Sequence, residues 1–211
     1  MPTPSAQQAL SILRDGSQFR WYVIPIFVLV VYVYANEIER RNWNLVFAGL
    51  MLWATDWFFE ILNSFVFHFT NYSPLWGAPG KTAYLPLIGL NIEISLNFAI
   101  LGIVFAKMLP PDKSLKVLGV PNRPFFAVAY AIICVLIEML LNSINALTWD
   151  YPWWNARVPW LIFLVAYLPL VSSSIWVFDM KSVRSKAATV VILLGVDALC
   201  LIVFGSLLKW I

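Results

Sequence analysis

Charge is scarce in this chain of 211 residues: 12% are Asp, Glu, Lys or Arg, against 61% hydrophobic. A water-soluble domain carries about 25% charged and about 45–50% apolar residues. Such a deficit excludes a disordered chain and a nucleic-acid-binding domain. Cysteine is nearly missing too. Cys134 and Cys200 both lie inside apolar runs and read as small buried hydrophobes, which excludes a disulfide scaffold. A single histidine, His68, is too few for a membrane di-iron enzyme or for a pair of axial haem ligands. No metal and no cofactor is therefore expected.

What is present suits lipid as the solvent. Mean hydropathy is +0.79, and a span needs about 20 apolar residues. Six apolar runs stand out, at about 21–36, 43–69, 84–108, 125–148, 158–178 and 187–210. They are too long for strands and lack the alternation of a barrel. Backbone groups in lipid must be bonded within their own segment, so the runs predict helices. The expected fold is all-α, a polytopic bundle of six transmembrane helices with a seventh conceivable. Residues 1–20 form a polar tail or an interfacial helix, and residues 21–211 one membrane domain.

The basic residues divide unevenly between the two ends of these runs. Arg14, Arg20, Lys81, Arg157 and Lys209 fall on the side of the termini. Arg40, Arg41, Lys107, Lys113, Lys116, Arg123, Lys181, Arg184 and Lys186 fall on the other side. The positive-inside rule then predicts non-cytoplasmic termini. Trp76, Trp149, Trp153, Trp154 and Trp160 gather at the terminal side. They read either as an interfacial aromatic belt or as an aromatic mouth over a pocket. Ser172, Ser173 and Ser174 read as helix-packing positions, since the lone His68 is badly placed to activate a serine.

A short internal repeat is visible. Glu60 with Asn63-Ser64 is followed by Tyr72-Ser73-Pro74-Leu75-Trp76, and Glu138 with Asn142-Ser143 by Tyr151-Pro152-Trp153-Trp154. The offset is 78 residues at the glutamates and 79 at the Asn-Ser pairs. An even number of spans per unit makes this a parallel repeat.

Carboxylates within spans cost at least ~2.5 kcal/mol each on insertion scales, so they ask for a function. The second run carries Asp56 and Glu60 on one face, the third Glu93, the fourth Glu138 and the sixth Asp197. Glu60, Glu93 and Glu138 lie about nine or ten residues from the terminal-side ends of their runs, roughly 13–15 Å deep, so all three are expected to face one cavity. Asn63, Asn97 and Asn142 accompany them, and Trp53 and Trp57 sit mid-span nearby. No basic residue shares this level.

A protonated carboxylic acid in an apolar cavity is a general acid, and aromatic faces stabilise a cation. Glu60, Glu138, Glu93, Asp197 and Asp56 are the candidate catalytic residues. Trp53, Trp57, Asn63, Asn97 and Asn142 are the candidates for substrate binding. The chemistry suits an apolar lipid or isoprenoid as partner, with the bilayer as its source. The Trp57-Phe58-Phe59-Glu60-Ile61 stretch, the Gly89-Leu90-Asn91 segment running to Lys107, and Val196-Asp197 resemble the fungal-type integral-membrane terpene cyclases of meroterpenoid pathways. That resemblance implies proton-initiated cyclisation with a Glu on an early span and an Asp on the last. It departs from the family in having six spans where the family has seven, and Glu93 and Glu138 have no counterpart there. A proton- or cation-coupled transporter or channel also fits membrane acids in a parallel repeat, as does a membrane subunit without chemistry.

Overall fold

The computed structural model describes residues 1–211, the side chain of Gln18 excepted. The chain begins with helix α1 (Pro4–Ile12), a 3₁₀ turn (Gly16–Gln18), α2 (Val23–Glu39), α3 (Trp43–Thr70) and α4 (Ile92–Lys107). A two-residue hairpin, β1 (Lys116–Val117) and β2 (Val120–Pro121), leads into α5 (Asn122–Ser143). Then follow α6 (Pro159–Ile162), a π-helical turn (Phe163–Tyr167), α7 (Leu168–Asp179) and α8 (Val183–Cys200), which runs on as a π-helical segment (Leu201–Leu207).

Among the described residues, four helical stretches are long and apolar enough to cross a membrane: Trp43–Thr70, Asn122–Ser143, Pro159–Asp179 and Val183–Leu207. The expectation of six full spans is corrected at two places. Helix α2 has 17 residues and α4 has 16, and at 1.5 Å per residue α4 is about 24 Å long against a hydrocarbon core of about 30 Å. The run 84–108 is helical only from Ile92. Pro86 interrupts it, Leu87 and Leu90 close a tight turn on each other, and the Asn91 side chain caps α4 by accepting the Ile94 N–H at 2.8 Å.

Helix α3 is the centre of the molecule and packs against α4, α7 and α8. Its contact with α4 depends on glycine: a Cβ on Gly102 would lie 2.8 Å from Gly49 Cα and from Leu52 Cβ. Small residues let two apolar helices approach closely where lipid supplies no hydrophobic drive. On the α7 side, Ser174 Oγ donates to the Ala48 carbonyl at 2.8 Å, and Thr55 and Ser173 hydroxyls bond at 2.9 Å.

The π-helical turn has a local cause. Pro169 offers no N–H to the Val165 carbonyl and in a regular α-helix its ring would clash with that carbonyl, which the wider backbone over Phe163–Tyr167 avoids. One consequence is that Tyr167 is turned toward α5.

The two ends of the bundle differ. At one end Lys107 pairs with Glu37, Arg123 makes a two-pronged bond to Asp179 at 2.9 and 3.0 Å, and Lys113 joins at 3.1 Å. The other end carries both termini and the loops 71–91 and 144–158. There α1 lies over the loops, with its own Ala6 and Ala9 buried against them. Thr3 N–H donates to the Tyr72 carbonyl and Arg14 N–H to the Leu85 carbonyl, both at 2.9 Å. Asp150 Oδ2 gathers the hydroxyls of Thr3, Ser5 and Ser73 at 2.7, 2.5 and 2.6 Å, which ties α1 to both loops.

Candidate functional site

A cavity of about 480 Å³ lies between α3, α4, α5 and the π-helical turn. Most of its wall is apolar, from Phe59, Ile94, Phe98, Leu101 and Leu170. Into it project three acids, Asp56 and Glu60 from α3 and Glu138 from α5, each at least nine-tenths buried. Asp56 and Glu60 are four residues apart and so share a helix face. Each acid has a buried oxygen with no hydrogen-bond partner: Asp56 Oδ2, Glu60 Oε2 and Glu138 Oε2. No Lys or Arg lines the cavity.

The loop after α3 finishes the site. Trp76 Nε1 donates to Glu60 Oε1 at 2.7 Å. Trp76 is held there by Asn63, whose Nδ2 donates to the Trp76 carbonyl at 2.7 Å and whose Oδ1 accepts the Leu75 N–H at 2.7 Å. Gly89 presses against the same place. A Cβ on it would lie 2.4 Å from Asn63 Nδ2, 2.6 Å from Glu60 Oε2 and 2.7 Å from the Trp76 carbonyl oxygen. On the α5 side, the Tyr167 hydroxyl and the Trp149 indole face Glu138. Cys134, one helical turn before Glu138, lines the cavity as well.

Equivalent residues of the two Glu/Asn/Tyr/Trp segments meet in space. Glu60 and Glu138 share the cavity. Tyr72 and Tyr151 rings meet at 5.3 Å, and Trp76 stacks on Trp154 at 6.0 Å. Gly77 and Thr148 exchange backbone hydrogen bonds at 3.0 and 2.8 Å. Tyr72 Oη donates to the Asp150 carbonyl, and Tyr151 Oη to the Ser73 carbonyl.

The cavity is not sealed on the side of α4 and α5. These two helices barely touch. The stacked rings of Phe105 and Tyr130, 4.1 Å apart, join them at the basic end. The rim between them is formed by Leu29, Val104 and Ile137, all of them well exposed, together with Asn97. Beneath lies a packed apolar cluster of Leu52, Phe105, Leu109, Tyr130, Val171 and Ile175. Above, the stacked Trp76 and Trp154 cover it. The opening therefore faces sideways.

The remaining sequence candidates are placed elsewhere. Glu93 does not reach the cavity. Helix α4 starts at Ile92, so Glu93 lies in its first turn and not nine residues inside a span. There it accepts from Thr82 Oγ1 at 2.5 Å, from the Ala83 N–H at 2.7 Å and from the Tyr22 hydroxyl, and so pins the loop and α2 to α4. Trp53 and Trp57 do not wall the acids either. Trp57 lies about 100° round the helix from Asp56, and both indoles donate to Ser95 Oγ on α4, at 2.9 and 3.0 Å. Asp197 is buried on α8 with both oxygens unpartnered, outside the cavity. Asn142 holds the loop after α5 by donating to the Leu147 carbonyl at 3.0 Å. Sequence reasoning passed over Tyr167 and Gly89. Pro169 inside an apolar run was the signal for the first, and nothing local marks the second.

Comparison with known proteins places the chain. The profile of an uncharacterized membrane protein family matches residues 3–206. A protein of Archaeoglobus fulgidus is 54% identical over 211 residues, which is 100% of both chains. A second, shorter one from the same organism is 46% identical over 54 residues, 26% of this chain and 96% of its own length. No solved structure matches. These findings overturn the resemblance to fungal-type terpene cyclases: the match runs along nearly the whole chain and leads to an uncharacterized membrane protein family and an uncharacterized archaeal protein, and nothing in it leads to cyclases. The short Trp-Phe-Phe-Glu-Ile and Val-Asp pieces are what any aromatic-rich span with an interior acid supplies. The chain belongs to this uncharacterized family of membrane proteins.

Proposed function

We infer that the protein is a membrane-embedded acid–base catalyst acting on an apolar lipid chain, which enters the cavity sideways between α4 and α5. The observation that supports this most is the sharing of one largely apolar, laterally open cavity by Asp56, Glu60 and Glu138. A soluble substrate would have no reason to approach through a rim of exposed Leu29, Val104 and Ile137.

Charge balance sets the chemistry. Three buried carboxylates without a cation beside them are too costly in a medium of low dielectric, so Glu60 and Asp56 hold protons and one carboxylate, Glu138, stays ionised facing the Tyr167 hydroxyl. The Trp76 bond occupies Glu60 Oε1, which leaves Oε2 to carry a proton into the cavity. Glu60 is then the general acid. The π electrons of a carbon–carbon double bond take that proton and form a C–H bond. Glu138, held by Tyr167, removes a proton from a neighbouring carbon, whose C–H electrons become the new double bond. The step is an isomerisation with no change of oxidation state. Asp56, which shares the cavity with both, passes the proton back. Asn97 at the rim offers a hydrogen bond to a polar head on the chain.

In this reading α2 and α4 also lie in the membrane, tilted little because they are short, and the two Glu/Asn/Tyr/Trp segments are halves of a parallel repeat. The basic end is cytoplasmic and both termini are outside. With Cys200 replaced by alanine, Ser114→Cys and Ser182→Cys should resist a membrane-impermeant maleimide in intact cells and label in inverted vesicles. Labelling in intact cells would invert the orientation. A carrier would need a path to both faces, and the apolar cluster around Leu52, Phe105 and Tyr130 stands in that path.

The test is solvent exchange. Membranes containing the protein, incubated in deuterium oxide, should place carbon-bound deuterium in a lipid, read by mass spectrometry, and membranes without it should not. Acid-driven uptake of a solute without deuterated lipid would favour the transport reading.

A further inference from the structure

We propose that a second pocket, at the end bearing the termini, binds an anionic phosphate group, as a lipid headgroup or as a free ion. The pocket has a volume of about 600 Å³ and lies across the 86–90 loop from the acid cavity. Its titratable side chains are Arg14, His68 and Lys209, with no acidic side chain among them, and Ile211, residue 211 of the 211, brings a main-chain oxygen that Arg14 already engages. Asn71 and Ser206 add further polar groups, and among the described residues no hydrogen bond is made by the side chains of Lys209, Asn71 or Ser206. Arg14 is fixed in place. Its Nε donates to the Pro86 carbonyl at 3.1 Å and one Nη2 hydrogen to Ile211 O at 2.9 Å. Three of the five guanidinium N–H groups remain to be used.

The backbone agrees with the side chains. Arg14, Asn71 and Lys209 have φ of 57°, 48° and 55°, a left-handed conformation that non-glycine residues rarely adopt. Three such residues, from three separate segments, converge on one pocket. Each closes the helical segment before it, Pro4–Ile12, Trp43–Thr70 or Leu201–Leu207, with a left-handed cap, and the three helix ends bring their side chains to one place. The rest of the wall is apolar. Phe67 and Ile88 line it, and His68 stacks on Trp210 with centroids 4.8 Å apart. One fixed cation, Arg14, and a second, Lys209, above an apolar floor at a membrane boundary match a phosphate with an acyl chain below it. A fixed guanidinium also loses little freedom on binding.

This proposal is independent of the acid cavity. The purified chain in non-ionic detergent should melt higher with micelles containing phosphatidic acid than with micelles containing phosphatidylcholine. Lys209→Gln should weaken the apparent affinity roughly tenfold, the loss of one charge-assisted bond. Lys116→Gln, on the basic hairpin at the opposite end, should leave the shift unchanged. An equal shift with inorganic phosphate would assign the pocket to a soluble anion. The proposal is overturned by the absence of a shift with either probe. It is also overturned by a shift that survives Lys209→Gln, or by one that Lys116→Gln weakens as much, since that would be general surface charge.

Discussion

Glu60→Gln is expected to stop deuterium transfer into lipid while leaving the protein folded. The amide keeps the shape of the carboxyl and its carbonyl oxygen can still accept the Trp76 N–H, so the contact at 2.7 Å survives. What is lost is the acidic proton. General acid catalysis contributes about 10²–10⁴-fold, and the loss should reach the upper end because the apolar wall admits little water to substitute. Glu138→Gln should remove the base and give a loss of similar size. Asp56→Asn should slow turnover without abolishing it, because a relay can be bypassed where the acid and base remain. Thermal unfolding of Glu60→Gln and Asp56→Asn should stay close to wild type, since a neutral amide replaces a neutral acid, and Glu138→Gln should not melt below it, since a buried charge is removed. If Glu60→Gln retains full exchange, Glu60 is not the acid.

Gly89→Ala should be the most damaging small change outside the acids. The added methyl meets Asn63 Nδ2, Glu60 Oε2 and the Trp76 carbonyl oxygen, all nearer than 3.0 Å, and one of them is backbone. The loop must retreat, and with it the two hydrogen bonds by which Asn63 holds Trp76 over Glu60. Overpacking and the loss of buried hydrogen bonds together should cost about 2–4 kcal/mol, read as a lowered midpoint of thermal unfolding in detergent. The cost should shrink when Gly89→Ala is combined with Glu60→Ala, because truncating the acid makes room for the methyl. A Gly89→Ala protein that melts with wild type would mean that the loop does not rest on Glu60.

Sequence periodicity reached the long helices because apolar runs in lipid have few alternatives. Breaks such as Asn71-Tyr72-Ser73-Pro74 and Asp179-Met180-Lys181 fall within a residue or two of the ends of α3 and α7. It failed at residues 84–91, where Leu85, Leu87, Ile88 and Leu90 are as apolar as a span but are buried as a loop beneath α1. Hydropathy reports burial, and it does not tell lipid from protein. That error moved Glu93 from a helix end to an imagined midplane. The pairing of Glu60 with Glu138 was legible because each precedes an Asn-Ser pair and a Tyr/Trp loop at offsets that differ by a single residue. Trp53 and Trp57 misled because depth along a helix is readable from sequence whereas the direction a side chain faces depends on the neighbour it meets, here Ser95. Tyr167 owes its position to a π-helical turn that the periodicity of an ordinary helix cannot anticipate.

The most direct test of a lipid chain among the acids is photolabelling from within the bilayer. A phospholipid carrying a diazirine near the end of its acyl chain would be reconstituted with the protein, illuminated, and the adducts mapped by mass spectrometry. Adducts on Glu60, Glu138 or Asp56, suppressed when Val104→Trp narrows the rim between α4 and α5, are the expected result. Adducts confined to the outer faces of the helices, such as Ile192 and Leu199 of α8, with none on the three acids, would contradict it.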